Sequence, residues 1–200
     1  MSKLHLKTER LIIRDFVEDD WQSIVARTTQ ESVAQYMQWD TTTWAEREKV
    51  VTWIREQKTL TFGTVGRYLE FAVERDDDAI GTVGLKNLSK VNKVAEVGWD
   101  LDLAHWGMGY ATEATAALMD LCFRNLHLHR FTSVCDACNT GSYRLMERLG
   151  MRREAHHVKS SFIKGKWVDD LVYAVLKDEW LCRPPPRYTV YTPTQNEEPV

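Results

Sequence analysis

No apolar run in this chain of 200 residues approaches the length of a membrane span, and the N-terminus lacks the apolar core of a signal peptide. Positive charge is not in excess either. The formal net charge is −3, which argues against a general nucleic-acid binder. Cysteine is scarce. Of the four, Cys135 and Cys138 form one C-x-x-C with no second pair, so zinc and redox readings are poor. Free thiols in a reducing cytoplasm are the expectation. No internal repeat is visible. What remains is an ordinary globular composition, 44% hydrophobic and 28% charged, long enough for one domain with a full core. Eight tryptophans are many for this length, so several must sit in a core or line a pocket.

The most informative stretch runs from Trp99 to Glu113. An alternating apolar run ends near Leu103, and a short loop carries Gly107 and Gly109. Ala111, Ala114, Ala117, Leu118 and Leu121 then follow helical spacing. Strand, glycine turn and helix in that order leave free backbone N–H groups and a positive dipole end at the turn. Without side chains at the glycines, an anion can approach that backbone closely. A P-loop is excluded, because Tyr110 and Ala111 follow Gly109 where lysine and a hydroxyl residue are needed. A dinucleotide fingerprint fits poorly, since Thr112 stands at the third glycine position and the preceding hundred residues show no parallel βα repeats. The turn therefore reads either as a phosphate cradle or as a plain helix cap.

Elements on either side can be read in order. A first strand spans 6–14, and Asp19 and Asp20 precede a helix carrying Trp21, Ile24 and Val25. A second helix covers about 44–58. Strands follow at 67–74, 80–86 and 92–101, the first two joined at Asp76-Asp77-Asp78. After the glycine-turn helix come a strand at 131–137, a helix from Asn139 to Leu149-Gly150, and a hairpin of 153–161 with 168–176. The strands flanking the glycine-turn helix should run parallel. The expected fold class is α/β (α+β), a mixed, mostly antiparallel central sheet with helices on both faces. The domain is expected over 1–182, with 183–200 a Pro-rich flexible tail.

The segment Trp106-Gly-Met-Gly-Tyr-Ala-Thr-Glu-Ala resembles the acetyl-CoA pyrophosphate loop of the GNAT superfamily of N-acetyltransferases. The superfamily pattern Gln/Arg-x-x-Gly-x-Gly/Ala falls on Trp106, Gly109 and Ala111, with tryptophan in the polar first position. Thr8-Glu-Arg-Leu11, Glu96-Val-Gly-Trp99, Asn139-x-x-Ser142 with Leu149-Gly150, and Gly165-x-Trp167-x-Asp169 resemble the RimJ/RimL-like branch, which includes ribosomal-protein N-terminal acetyltransferases. The likeness runs from about Leu6 to Trp180.

That resemblance implies acetyl-CoA bound along Trp99, Leu101 and Leu103, at the loop Trp106, Gly107, Met108, Gly109, Tyr110, Ala111 and Thr112, and by Asn139, Ser142 and Tyr143. Acetyl transfer to an amine needs a neutral nucleophile, a donor for the oxyanion and a stabilised leaving thiolate. Glu96 is the candidate base, a carboxylate in an apolar strand that shares one face with Gly98. Its alternative is a surface acid paired with lysine or arginine. His127, His129, His156 and His157 fall on no matching motif. Ser142 is the candidate donor to the leaving sulfur, with Tyr143 second, because Met146 stands where many relatives carry tyrosine; Asn139 and Ser142 could equally be helix caps. Tyr36, Trp39, Trp167 and Asp169 are expected to border the acceptor site, and Asp40 and Asp170 suit a cationic acceptor. Plain packing is their alternative. No metal is expected. The expected partner is an amine, either a protein N-terminus or a small molecule, with neither nucleic acid nor membrane and with room for a homodimer. A catalytically inactive acetyl-CoA sensor of the same fold is the competing function.

Overall fold

A computed structural model describes residues 4–37, 46–60 and 68–190. Their strands form one nine-stranded sheet in the order β7-β8-β6-β5-β4-β3-β2-β1-β9. β1 (His5–Lys7) and β2 (Ile12–Arg14) are a hairpin, not the single strand expected over 6–14. The break is at Thr8, whose N–H donates to the Leu11 carbonyl at 2.9 Å. Helix α1 (Trp21–Thr28) follows Asp20, but Asp20 does not cap it. Its carboxylate is taken by Arg14 at 2.8 and 2.9 Å and by the Val17 N–H at 2.8 Å. After α2 (Glu31–Ala34) and α3 (Arg47–Thr59) come β3 (Leu69–Arg75) and β4 (Asp78–Ser89). The turn between these strands holds Asp76 and Asp77 at φ of 52° and 68°.

β5 (Val94–Leu101) leads through the glycine loop into α4 (Tyr110–Asn125), and β6 (Arg130–Asp136) leads into α5 (Thr140–Arg148). Gly150, at φ 75°, closes α5 as a C-terminal cap. β7 (Arg152–Ile163) and β8 (Lys166–Leu176) make the last long hairpin. All neighbouring strands are antiparallel except β5 and β6, which run parallel as their connecting helix requires.

Alternation sorts the sheet into two faces. Leu69, Phe71, Val73, Val97 and Phe131 pack with α4 and α5 in the larger core. Ala72 packs on the opposite face with Ile24 of α1 and Val50 and Ile54 of α3. Residues 183–190, expected to be flexible, are docked instead. After the short helix α6 (Lys177–Leu181), Arg183 donates to the Arg148 and Leu149 carbonyls, and Tyr188 donates to Asp120 at 2.9 Å. β9 (Thr189–Val190) then pairs with β1.

Candidate active site

β5 and β6 pair only from Val94↔Arg130 to Glu96↔Thr132. Beyond that point the strands diverge, and the Ser133 hydroxyl reaches across to the Val97 carbonyl at 2.9 Å. Gly98 to Leu101 have no β6 partner among the described residues. Both strands end at this opening, and each is followed by a helix, so the N-termini of α4 and α5 meet one crevice. Gly107 and Gly109 adopt φ of 77° and 82°, a region that favours glycine. A Cβ added at Gly107 would meet no atom within 4 Å, which leaves its backbone open to a ligand. The α4 N-terminus is thus exposed in the form an acidic phosphate group requires.

This loop is braced from both sides. The Trp106 indole N–H donates to the Leu101 carbonyl at 2.8 Å, tying the loop to the end of β5. Thr8 and Arg10, in the β1–β2 turn, hold the Glu113 carboxylate on the first turn of α4, with Thr8 Oγ1 at 2.6 Å and Arg10 Nε at 2.7 Å. Arg10 also donates to the Met108 carbonyl at 2.9 Å. The Thr-Glu-Arg-Leu signature therefore acts by anchoring the loop. Tyr110 is buried, and Arg10 and Arg75 lie 4.6 and 4.9 Å from its ring centroid. Only its backbone can face a ligand at the loop. Leu101 is likewise buried, Trp99 and Ala111 pack partly on the core, and Leu103, Trp106 and Met108 stand half-exposed around the loop. Thr112 accepts from Arg148 at 3.4 Å.

At the other helix, the Asn139 side chain accepts from the Ser142 N–H at 3.1 Å, an ordinary cap. The Ser142 hydroxyl, partly exposed, has no hydrogen-bond partner among the described residues and is available to a ligand. Tyr143 packs partly against the core. The Tyr36 hydroxyl is pushed up by burial and by Asp136 and Cys138, which places it beside the loop after β6. The Lys164 ammonium donates to the Ala34 carbonyl at 2.6 Å and brings the β7–β8 turn to the same wall. On that hairpin, Trp167 is exposed with its ring centroid 5.2 Å from that of Phe162. Asp169 is held by the Lys159 N–H at 2.8 Å and by His156 at 2.7 Å, which lower its pKa. Asp170 lies on the same strand and accepts from Ser160 at 2.7 Å. Trp39 and Asp40 lie outside the described residues.

Glu96 does lie on the face it shares with Gly98, but neither of its carboxylate oxygens is free. Lys86 binds one at 2.7 Å and Asn87 the other at 2.9 Å. The same face carries a set of polar groups that the motifs did not single out. Arg27, from α1, and Thr82 both donate to Asp100. Glu70 is buried and hydrogen-bonded to Tyr68. Burial and the Asp100 charge push the Glu70 carboxyl up to about 7, against the pull of Tyr68, Arg27 and Lys86. The Tyr68 phenol is itself held well above its usual range, first by burial and then by Glu70. One signal for this pair was available: Leu69-Glu-Phe-Ala-Val is as apolar as the strand around Glu96, so its acid called for the same explanation.

Comparison with known proteins meets this geometry. The family described as acetyltransferase (GNAT) domain matches residues 10–152. The uncharacterized N-acetyltransferase YnaD of Bacillus subtilis is 29% identical over 177 residues, covering 88% of this chain and 99% of that protein. A GNAT-family acetyltransferase from Bacillus anthracis has a crystal structure that superposes with a TM-score of 0.73 at 28% identity, covering 88% of this chain and 99% of that one. RimL, the ribosomal L7/L12 α-N-protein acetyltransferase, solved in complex with coenzyme A, shares the fold with a TM-score of 0.75 at 19% identity, covering 84% and 95%. A splayed parallel strand pair, a glycine loop at a helix N-terminus and this match over most of the chain lead to one assignment: the protein belongs to the GNAT family of acetyltransferases and is an N-acetyltransferase that uses acetyl-CoA.

Proposed function

We propose that the chain moves an acetyl group from acetyl-CoA to a primary amine by direct attack, both substrates being bound in the crevice between β5 and β6. The observation that carries this is the open backbone at Gly107 and the left-handed Gly109, at the start of a 16-residue helix and braced by Trp106 and Arg10. In this reading the loop N–H groups hold the pyrophosphate, and the edge of β5 from Gly98 onward, which has no β6 partner among the described residues, holds the pantetheine arm. When bound, acetyl-CoA supplies an activated acetyl carbon whose C–S bond breaks, the electron pair staying on sulfur, as the C–N bond forms. Ser142 donates to the departing sulfur. Glu96, as an ion-paired carboxylate beside the opening, draws a cationic acceptor toward the crevice, and Tyr36 and the β7–β8 turn wall the approach. The acceptor class is a protein N-terminus or a small-molecule amine.

Two measurements test this. Thiol release from acetyl-CoA is followed with an N-terminal peptide, a polyamine, an aminoglycoside and an amino acid as acceptors. At least one should release thiol stoichiometrically with acetylated product; binding of acetyl-CoA with no turnover on any of them would favour the sensor. Gly109→Val, confirmed folded, should then lose most of its calorimetric affinity for acetyl-CoA, because the new side chain is strained at φ 82° and lies against the Arg10 guanidinium that braces the loop. Ser142→Ala should leave that affinity nearly intact and lower kcat by roughly ten- to a thousandfold. An unchanged kcat would remove Ser142 from the chemistry.

A further inference from the structure

β-sheet register aligns Glu70, Gly84 and Gly98 in one row across three strands, on the face that carries α1 and α3. The two glycines leave room for the Tyr68 ring to lie across that row. A Cβ added at Gly84 would stand 3.1 Å from Tyr68 Cε2, and one at Gly98 would stand 3.1 Å from the Tyr68 hydroxyl. The hydroxyl therefore sits over β5 one step past Glu96↔Thr132, the last pair before the strands diverge. It is bonded to Glu70, which is buried behind it, while Tyr68 itself is partly exposed. An aromatic hydroxyl over the strand that borders the crevice, backed by a buried carboxylate, has the form of a proton relay.

We propose that Tyr68 and Glu70 carry the proton away from the acceptor amine. This rests on the acetyl-transfer reading above. The amine arrives as an ammonium. The Tyr68 hydroxyl takes one of its protons while passing its own to the Glu70 carboxylate, so the tyrosine stays neutral throughout. As the C–N bond forms, the amine nitrogen sheds a second proton, which ends on the sulfur by way of Ser142. The proton held by Glu70 is returned to solvent. One ammonium thus yields one amide, one thiol and one free proton.

The charges around Glu70 suit this part. Asp100 on β5 opposes its ionisation, while Arg27 on α1 and Lys86 on β4 support it. From α3, Gln57 is neutral and accepts the Glu70 backbone N–H at 3.0 Å. Glu96, the sequence candidate for base, acts on the Tyr68 hydroxyl by charge alone. The net result is a carboxyl that exchanges its proton near neutral pH, where a general base is most effective.

The experiment has two arms. In the first, carboxyl groups of the ligand-free protein are titrated by carbon-13 NMR on glutamate-labelled material. One carboxyl should titrate near 7; Glu70→Gln should abolish that signal and Tyr68→Phe should shift it. In the second, pH–rate profiles are recorded with the amine that releases thiol fastest. Glu70→Gln and Tyr68→Phe should lower kcat on the order of a hundredfold at neutral pH and recover as the medium becomes alkaline. Glu96→Gln should instead raise KM and leave the midpoint of the rate profile in place. A Glu70 carboxyl titrating in the ordinary range, or variant profiles parallel to the parent, would overturn the relay even if both variants melt as the parent does. No thiol release by the parent on any amine would sink the acetyl-transfer reading itself, and the relay with it.

Discussion

At the scale of single residues, Glu70 costs the fold stability when it is ionised. Folding raises its pKa from the 4.5 of a free glutamate to about 7, so the native state binds the extra proton between those values. Stability contributed by this group is complete below the lower value and is lost as pH rises through the upper one. Across the whole window the loss amounts to roughly 3 kcal/mol. Glu70→Gln, which cannot ionise, should escape it. Urea unfolding at about pH 5 and about pH 8 measures this. The variant's stability relative to the parent should rise with pH, and a constant difference would mean that Glu70 is not buried as described. A residue that weakens the native state at neutral pH, on the face where the crevice opens, is the pattern expected where activity and stability pull in opposite directions.

At the scale of elements, the glycine loop owes its shape largely to parts distant in sequence. Arg10 and Thr8 reach it from the first hairpin, and Trp106 reaches it from within. The ion pair of Arg10 with Glu113 is substantially exposed on the arginine side and is worth little by itself. Its value is in holding the Met108 carbonyl and the first turn of α4 in place. Arg10→Ala should therefore weaken acetyl-CoA binding by about three- to tenfold in calorimetry while moving the melting temperature by no more than about 2 °C. A large drop in melting temperature with unchanged affinity would assign Arg10 to the fold and not to the loop. The loop, its helix and the parallel strands beside it were legible in the sequence, because Gly107, Gly109 and the alanine-rich run act locally. The residues that brace the loop were visible only as an unexplained motif. Their partner, Glu113, lies about a hundred residues on, and nothing local names it. The Tyr68–Glu70 pair was legible only as an acid in an apolar strand: its meaning depends on Gly84 and Gly98 arriving beside it through strand register.

At the scale of the whole molecule, the tail differs most from expectation. Proline-rich composition pointed to a flexible extension from Arg183, yet Asp120 in α4 gathers Trp180, Tyr188 and Arg124 around one carboxylate, with Trp180 Nε1 at 3.0 Å and Arg124 Nε at 2.7 Å. Composition sees the prolines and misses a single buried acceptor. Asp120→Ala would leave the buried Trp180 N–H without a partner, a penalty of about 1–3 kcal/mol. That corresponds to a fall in melting temperature of several degrees, readable by calorimetry, and limited proteolysis should cut the 183–190 segment sooner. An unshifted melting temperature would show that the tail adds nothing to the domain.

The pairing of β9 with β1 also has a consequence for how the chain is made. Leu6 finds its partner in Val190, one of the most distant pairings in the sheet. A polypeptide synthesised from its N-terminal end must therefore carry β1 as a bare edge until Val190 has left the ribosome. The turn that steadies the glycine loop belongs to that edge. The outer side of the hairpin that steadies this loop is accordingly closed only by residues made long after the loop itself.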